Sequence, residues 1–553
     1  MPKYVFITGG VVSSVGKGIA AASLGLLLEA RGLKIAMMKL DPYINVDPGT
    51  MNPFEHGEVF VTHDGAETDL DLGHYQRFTH AKISQKSNAT TGGIYHTVIE
   101  KERRGEYLGK TVQVIPHITD EIKRRIRSLT AEPEDEADIA LIEVGGTVGD
   151  IESLPFMEAI RQFNLDVYPE PCCNIHVTLL PFIEAAGELK TKPTQHSVRA
   201  LRDIGIQPQV IICRTGTHEM GPDQRRKIAM FCNVIEDAII GAPDVSPVYA
   251  IPLNFKRQRF DDIVLRTLGM EAPEADLSAW SSFVQKITEP ADEVRIAAVG
   301  KYVDHDDAYK SINEAFVHAG VANDCRVKLE WVDSEIFENG TLPKDKLAKF
   351  DGVLIGPGFG SRGIEGKIRA VNYVRTSKKP FFGICLGMQI AVIEMSRTCL
   401  GLATANSTEF NPETPDPVIS LLSEQRGVHD MGGTMRLGAY RCDLKEGTKA
   451  REAYGEDTVE ERHRHRYEFN NAYMARLEAE AGVVISGVHP RSDHELVEII
   501  ELRDHPWFCG AQFHPEFTSM PLRPQPLFRE FVRAALTYKR SRVSSEAGVP
   551  SGV

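Results

Sequence analysis

The sequence predicts two α/β domains in tandem, the first a doubly wound sheet around a phosphate-binding loop. Three observations carry this expectation. Short apolar runs alternate with helical periodicity along both halves of the chain. A glycine-rich stretch, Thr8-Gly9-Gly10-Val11-Val12-Ser13-Ser14-Val15-Gly16-Lys17-Gly18, separates the first apolar run from the first helical pattern. A second strand-to-helix junction, Gly383-Ile384-Cys385-Leu386-Gly387-Met388-Gln389, carries a cysteine at its turn. The 553 residues are too many for one hydrophobic core.

The elements follow in order. Tyr4–Thr8 is an apolar run that enters the glycine turn. Ile19–Glu29 places Ala20, Leu24, Leu27 and Leu28 at helical spacing. Lys34–Leu40, Asp138–Val144, Asn174–Leu180 and Val210–Cys213 are apolar runs suited to buried parallel strands. Around Gly269–Ala291 the pattern breaks and Pro, Glu, Ala and Ser accumulate, which predicts a linker with a short helix near Leu277–Ile287. Strands resume at Val294–Val299, Leu329–Val332, Gly352–Ile355 and Pro380–Ile384. From Tyr538 onward the chain is polar and rich in small residues, which predicts a disordered tail.

Composition excludes several function classes. Apolar content of 42% and charged content of 25% suit a soluble globular protein. A net charge of -14 argues against a basic nucleic-acid groove, so no nucleic-acid partner is expected. No apolar run approaches ~18 residues, so no membrane association is expected. The N-terminus MPKYVFITGG lacks a signal-peptide layout. Nine cysteines, with Cys172 and Cys173 adjacent, do not form a disulfide framework, and a reducing cytoplasm is predicted.

The glycine-rich stretch suits phosphate. Glycines let backbone N–H groups approach oxygens, the helix N-terminus adds positive potential, and Lys17 neutralises charge. The usual loop ends Gly-Lys-Ser/Thr, whereas here Gly18 stands at the hydroxyl position. Lys39 lies at the end of the next strand, where such sheets bind ligands. Glu67, Asp69 and Asp71 crowd one segment, and Glu143 ends the run Ile139–Glu143. Jointly these point to a metal–nucleotide site, with carboxylates suited to Mg²⁺.

The second junction suits a cysteine nucleophile. A sharp strand-to-helix elbow projects Cys385 at a helix N-terminus, and the dipole there lowers a thiol pKa. The Leu386 N–H would face a developing oxyanion. Downstream, Gln512-Phe513-His514-Pro515-Glu516 supplies a base and a carboxylate to orient it. Two residues apart, His514 and Glu516 face one side of an extended segment.

Long stretches resemble the CTP synthase family of glutamine-dependent amidoligases, from about Met1 to Lys539. They include GGVVSSVGKGIAAASLG, MKLDPYINVDPGTMNPFEHGEVFVTHDGAETDLDLGHYQRF, GGTVGDIESLPFMEAIRQ, KTKPTQHSVRALRDIGIQP, GICLGMQ, ERHRHRYEFNN and QFHPEFTS. The resemblance implies a P-loop-related amidoligase (synthase) domain over 1–269 and a linker over 270–293. It implies a class I glutamine amidotransferase domain over 294–540 and a disordered tail over 541–553. It implies that UTP is phosphorylated by ATP at O4 and aminated to CTP by ammonia that travels internally from glutamine. Ser14, Val15, Gly16, Lys17, Gly18, Ile19, Lys39 and Asp71 would then bind ATP, with Asp71 and Glu143 holding Mg²⁺. Ser13, Asp150, Ile151, Glu152, Lys190, Thr191, Lys192, Pro193, Thr194, Gln195 and Lys227 would contact UTP or CTP. Cys385, His514 and Glu516 would form the triad, and Gly358, Leu386, Gly387, Met388, Gln389, Glu409 and Arg466 would bind glutamine. GTP as activator, CTP as product inhibitor and a homotetramer are further implications.

Two departures from the family pattern stand out. Gly356-Pro357-Gly358-Phe359-Gly360 replaces Pro-Gly-Gly-Phe-Gly. Proline has no N–H, so the oxyanion donor expected near 357 falls to Gly358. The stretch Glu424–Gly432 is shorter than in some relatives, in a region linked to the GTP response. The alternative reading is another two-domain amidoligase such as a corrinoid amide synthase, which would lack GDIESLPF and KTKPTQHS. A non-catalytic assembly protein is a third reading, opposed by intact Lys17, Asp71, Glu143, Cys385, His514 and Glu516.

Overall fold

The computed structural model describes residues 2–52, 56–301, 306–421, 435–492 and 494–547. The chain forms two units, Met1–Pro48 with Thr68–Val284, and Gly49–Glu67 with Gln285–Val553.

The first unit is built on a parallel sheet. Its strands are β1 (Lys3–Gly9), β2 (Ile35–Asp41), β3 (Asn88–Thr90), β4 (Ile139–Val144), β5 (Cys172–Leu179), β6 (Val210–Arg214) and β7 (Ile239–Ala242), in the order β7-β6-β5-β1-β4-β2-β3. Helices cover both faces, so strands such as Ile139–Val144 are buried at every position. The central β1 is flanked by β4 and β5, and the loops after these three strands share the carboxyl edge where strand order reverses. α1 (Lys17–Glu29) begins at Gly16, whose φ of 88° closes the turn without a Cβ penalty. Its Leu24, Leu27 and Leu28 are fully buried, each worth about 1.5–3 kcal/mol of apolar transfer. α2 (Lys192–Asp203) follows β5 and its connecting turns, with Pro193 in its first turn.

The second unit carries a larger mixed sheet. β8 (Asp292–Gly300), β9 (Cys325–Asp333), β10 (Gly352–Ile355), β11 (Phe381–Ile384), β12 (Arg436–Leu444), β13 (Thr458–His465), β14 (Val483–Pro490), β15 (Glu495–Leu502) and β16 (Phe508–Ala511) run in the order β9-β8-β10-β11-β16-β15-β14-β12-β13. The first five are parallel and the remainder antiparallel. α3 (Leu386–Thr398) leaves β11 directly.

Three differences from the sequence reading have physical causes. Residues 49–67 fold with the second unit, although the motif pattern placed them in the first domain. The helix expected near Leu277–Ile287 runs Ser278–Thr288, but its Trp280 and Phe283 are buried against Tyr249, so the stretch packs onto the first unit's core instead of forming a free linker. The terminal helix runs Pro526–Ala547, through positions read as a disordered tail. Its polar end is held by ion pairs, Lys539 to Asp292 at 2.7 Å and Arg542 to Asp351 at 3.1 Å. The stretch Glu424–Gly432, expected to be shorter than in some relatives, lies outside the described residues.

Candidate active sites

In the first unit the glycine loop delivers Lys17 to a buried position, where its Nζ donates to the Gly146 carbonyl at 2.8 Å. Burial lowers its pKa, Glu143 opposes that, and Lys39 reinforces it. Gly9 leaves room for this side chain, since a Cβ there would lie 2.7 Å from Lys17 Cδ.

The missing hydroxyl at Gly18 has a direct explanation. A Cβ at that position would lie 2.3 Å from Asp71 Oδ1 and 3.5 Å from Glu143 Oε2. The helix Asp71–Phe78 packs on α1 and brings a carboxylate into the space a hydroxyl side chain would take. Lys39 on β2 bridges the two acids, donating to Asp71 and to Glu143 Oε1 at 3.0 Å. Tyr75 donates to the other Glu143 oxygen. Burial pulls the Lys39 ammonium down, but Asp71, Glu143 and Asp41 outweigh it and hold its pKa well above the ordinary lysine value. Burial raises Glu143, and it pushes Asp41 to about 6 and Asp69 to about 7. At Asp71 burial is overcome by Lys39 and the pKa falls.

The donor set fits Mg²⁺, which keeps several waters and takes one or two carboxylates beside phosphate oxygens. Among the described residues no group of three or more His, Cys, Asp or Glu forms a closed metal cage. A shallow crevice beside Gly16 and Ile19 is walled by Arg214, Ala242 and Pro243, which the sequence reading missed. They sit at the ends of β6 and β7, and strand-end position was their only signal.

The residues assigned to the pyrimidine nucleotide lie on neighbouring loops of the same edge. Ser13 follows β1, Asp150–Glu152 follow β4, and 190–195 run from the turn after β5 into α2. Ser13, Asp150, Ile151, Glu152 and Lys192 are exposed, as is Lys227 on the helix Pro222–Cys232. Lys190 pairs with Glu188. Thr191 accepts from Gln195 Nε2 at 3.0 Å. Thr194 is buried and hydrogen-bonded to Thr178 at 2.7 Å, so its hydroxyl secures α2 to β5.

In the second unit, β11 and β16 are parallel neighbours, so the residues that follow them meet at one edge. Cys385 adopts φ 51° and ψ -102°, a conformation that β-carbons resist. The elbow is enforced by close backbone: a Cβ at Gly387 would lie 2.1 Å from the Ile355 carbonyl oxygen. Met388 and Gln389 donate their N–H groups to Cys385 O at 3.1 and 3.2 Å. The helix itself leaves the Leu386 and Gly387 N–H groups without partners, aimed past its N-terminus. The Met388 side chain is buried in the core.

His514 and Glu516 meet as expected, with Nδ1 to Oε1 at 2.8 Å. Their backbone is not extended, however: Pro515–Thr518 is a 3₁₀ turn that brings the carboxylate to the Nδ1 edge of the ring. Burial works to lower the imidazole pKa, but Glu516 and Cys385 outweigh it and push it up to about 10. Phe517 stacks on the ring, centroids 5.3 Å apart. Gln512, unassigned in the sequence reading, is wholly buried and donates its amide to Cys385 Sγ at 3.7 Å. Gln389 donates to Gln512 Oε1 at 3.3 Å and to Tyr467 O at 3.1 Å.

A cavity of about 620 Å³ opens over the thiol. Gly358, Glu409, Arg466, His514 and Glu516 line it with Cys385. Gly49–Met51, Glu58 and Val59 complete the wall. This early segment is anchored by Arg464, which donates to Glu67 Oε1 at 2.8 Å and Gly49 O at 3.0 Å, and by Ser311 N–H to Glu58 at 2.8 Å.

A lysine-tipped glycine loop with two acids, and a cysteine elbow with a His–Glu pair, lie in stretches that match two known families. The profile described as CTP synthase N-terminus matches residues 3–270, and that described as glutamine amidotransferase class-I matches 305–534. A CTP synthase of Syntrophus aciditrophicus is 57% identical over 544 residues, covering 98% of this chain and 99% of its own. One of Geobacter sulfurreducens is 58% identical over 541 residues, with the same coverage. Among solved structures, the glutaminase domain of Trypanosoma brucei CTPS with bound acivicin is 39% identical, covers 44% of this chain and 94% of its own, and has a TM-score of 0.41. The near-complete matches favour UTP amination over the corrinoid-amidating alternative. Glycine loop, cysteine elbow and full-length similarity thus converge, and the chain belongs to the CTP synthase family.

Proposed function

We propose that the first unit activates UTP with ATP while the second frees ammonia from glutamine, each with the residues described. The chain's activity is that of a ligase converting UTP to CTP at the expense of ATP and glutamine. The pyrimidine O4 is a poor leaving group, so its phosphorylation lets an amine displace phosphate. Lys17 and the loop N–H groups hold the ATP phosphates, and Lys39 balances charge on the transferring group. Mg²⁺ held by Asp71 and Glu143 would supply further charge neutralisation when bound. In the second unit Cys385 attacks the glutamine carboxamide, His514 protonates the departing nitrogen, and water then hydrolyses the thioester. Glu409 and Arg466 are placed to read the amino acid ends of glutamine.

Support for the division rests on one observation above all. Cys385 on its φ 51° elbow shares an edge with the His514–Glu516 pair, and Lys17 with its acids stands in a different unit. GTP is the proposed activator, and the 620 Å³ cavity beside Arg464 and Phe359 has room beyond glutamine for a second ligand. CTP would inhibit by occupying the UTP loops. The exposed Ile151 on those loops favours completion of the site by further copies, as in a homotetramer. A cytoplasmic location suits free cysteines and nucleotide substrates; no described helix is long and apolar enough to cross a membrane.

The test is Cys385→Ala. Glutamine-dependent CTP formation should fall by at least about 1,000-fold, while formation from ammonium chloride stays within about twofold. Product is read by chromatography from mixtures of UTP, ATP and Mg²⁺. Failure of ammonium salts to rescue the variant would overturn the division.

A further inference from the structure

The loop after β10 is held from three directions. Lys301 follows β8, the strand beside β10, and is buried. Its Nζ donates to two successive carbonyls, Phe359 O and Gly360 O, each at 2.7 Å. The Gly360 N–H donates to Glu409 Oε1 at 2.8 Å. Arg362 closes the arrangement by donating Nη2 to the Lys301 carbonyl at 3.0 Å, and pairs with Glu335 at 2.9 Å.

This loop borders the thiol cavity through Pro357, Gly358 and Phe359. Pro357 has no N–H to give. The donor left at that point is Gly358, which stands against Leu386: a Cβ on Gly358 would lie 3.6 Å from Leu386 Cδ2. The Leu386 N–H opens α3 directly after the thiol residue. Two N–H groups stabilise an oxyanion only when their peptide planes are fixed before the reaction. Gly358 has no side chain of its own to fix its peptide plane. The buried lysine supplies that restraint through the two carbonyls that follow.

We infer that Lys301 is a positioning residue of the glutaminase reaction, holding the 358–360 backbone so that the Gly358 N–H faces the developing oxyanion. The inference rests on the glutaminase reading given above. In the step concerned, the Cys385 sulfur pair forms a bond to the carboxamide carbon and the C=O π pair moves onto oxygen. When that pair returns, the C–N bond breaks, the nitrogen takes a proton from His514, and ammonia leaves. Lys301 touches none of these atoms. Its effect is confined to the interval in which oxygen carries charge.

That confinement gives a selective test with Lys301→Met, Lys301→Arg and two thiol probes. Glutamate γ-semialdehyde captures the thiolate as a tetrahedral adduct bearing an oxyanion. Iodoacetamide alkylates the same sulfur without forming one. Lys301→Met should lower glutaminase kcat by about 30- to 100-fold with KM within about threefold, at or below the roughly 100- to 1,000-fold of losing an oxyanion donor outright, because the Gly358 N–H stays present but loosely held. Inhibition by the aldehyde should weaken by the same factor, iodoacetamide alkylation of Cys385 should keep its rate, and ammonia-dependent CTP formation should persist. Lys301→Arg should recover part of kcat. Alkylation slowed in step with glutamine turnover, or aldehyde affinity unchanged, would overturn the role. If Lys301→Met loses ammonia-dependent synthesis, and with it evidence of folding, Lys301→Gln is carried through the same readouts. Should the unaltered enzyme neither hydrolyse glutamine nor be alkylated at Cys385, the glutaminase reading itself falls.

Discussion

Gly18 shows how one missing atom group can define a site. A hydroxyl residue ordinarily follows the loop lysine and helps hold metal. Here the Asp71 carboxylate fills that space, 2.3 Å from where a Cβ would stand. Gly18→Ser should therefore displace Asp71 and lower ammonia-dependent CTP formation by about 100-fold, the scale of an ångström-sized misplacement. Glutaminase turnover measured without nucleotide should be unchanged. Wild-type synthesis by this variant would mean that Asp71 moves aside freely and does not shape the site. The Lys39 bridge between Asp71 and Glu143 belongs to the same scale. The sequence exposed all three residues as candidates, but their mutual pairing depends on a 104-residue separation between Lys39 and Glu143 that no local pattern encodes.

At the scale of elements, the helix Ile364–Thr376 carries an unusual residue on its core face. Ile364, Ile368, Val371 and Val374 pack inward, and Lys367 shares that face, 1% exposed. Burial pushes its pKa down to about 7 from 10.5, with Lys301 reinforcing and Glu409 opposing. The unfolded chain thus binds more protons than the folded one between pH 7 and 10.5, so stability rises with pH across that window. Below the folded value the full penalty applies, on the order of 5 kcal/mol. Lys367→Met should raise the thermal midpoint for loss of glutaminase activity at pH 7, and the gain should shrink toward zero near pH 10. A gain independent of pH would point to packing instead of charge. Such a position misleads sequence reading, because a lysine ordinarily marks the solvent face. Strand β15 misleads similarly: Glu498 is buried there and pairs with Arg436 at 2.7 Å.

Over the whole molecule, two chemistries share one chain, and each should fail separately. Lys17→Ala should reduce CTP formation from glutamine and from ammonia alike by at least about 100-fold, since phosphoryl transfer precedes amination. Glutamine hydrolysis without nucleotides should survive. Substantial ammonia-dependent CTP formation by this variant would remove Lys17 from phosphate binding. The segment 49–67 belongs to the unit that carries the thiol, although it precedes most of the first unit in sequence. Its only sequence cue was the proline- and glycine-rich run Asp47-Pro48-Gly49 through Gly57, which signals a departure from regular structure without saying where the chain goes. The amino-acid sequence by itself determined the two strand–turn–helix junctions, because each is local: a few glycines, one lysine or cysteine and an adjoining apolar run suffice. Tertiary structure alone decided the Lys39 bridge, the Gln512 contact to the thiol, the Lys301 hold on the 358–360 loop and the allegiance of residues 49–67. Those features arise when buried polar groups must find partners far along the chain, a demand that becomes visible only once the core has closed around them.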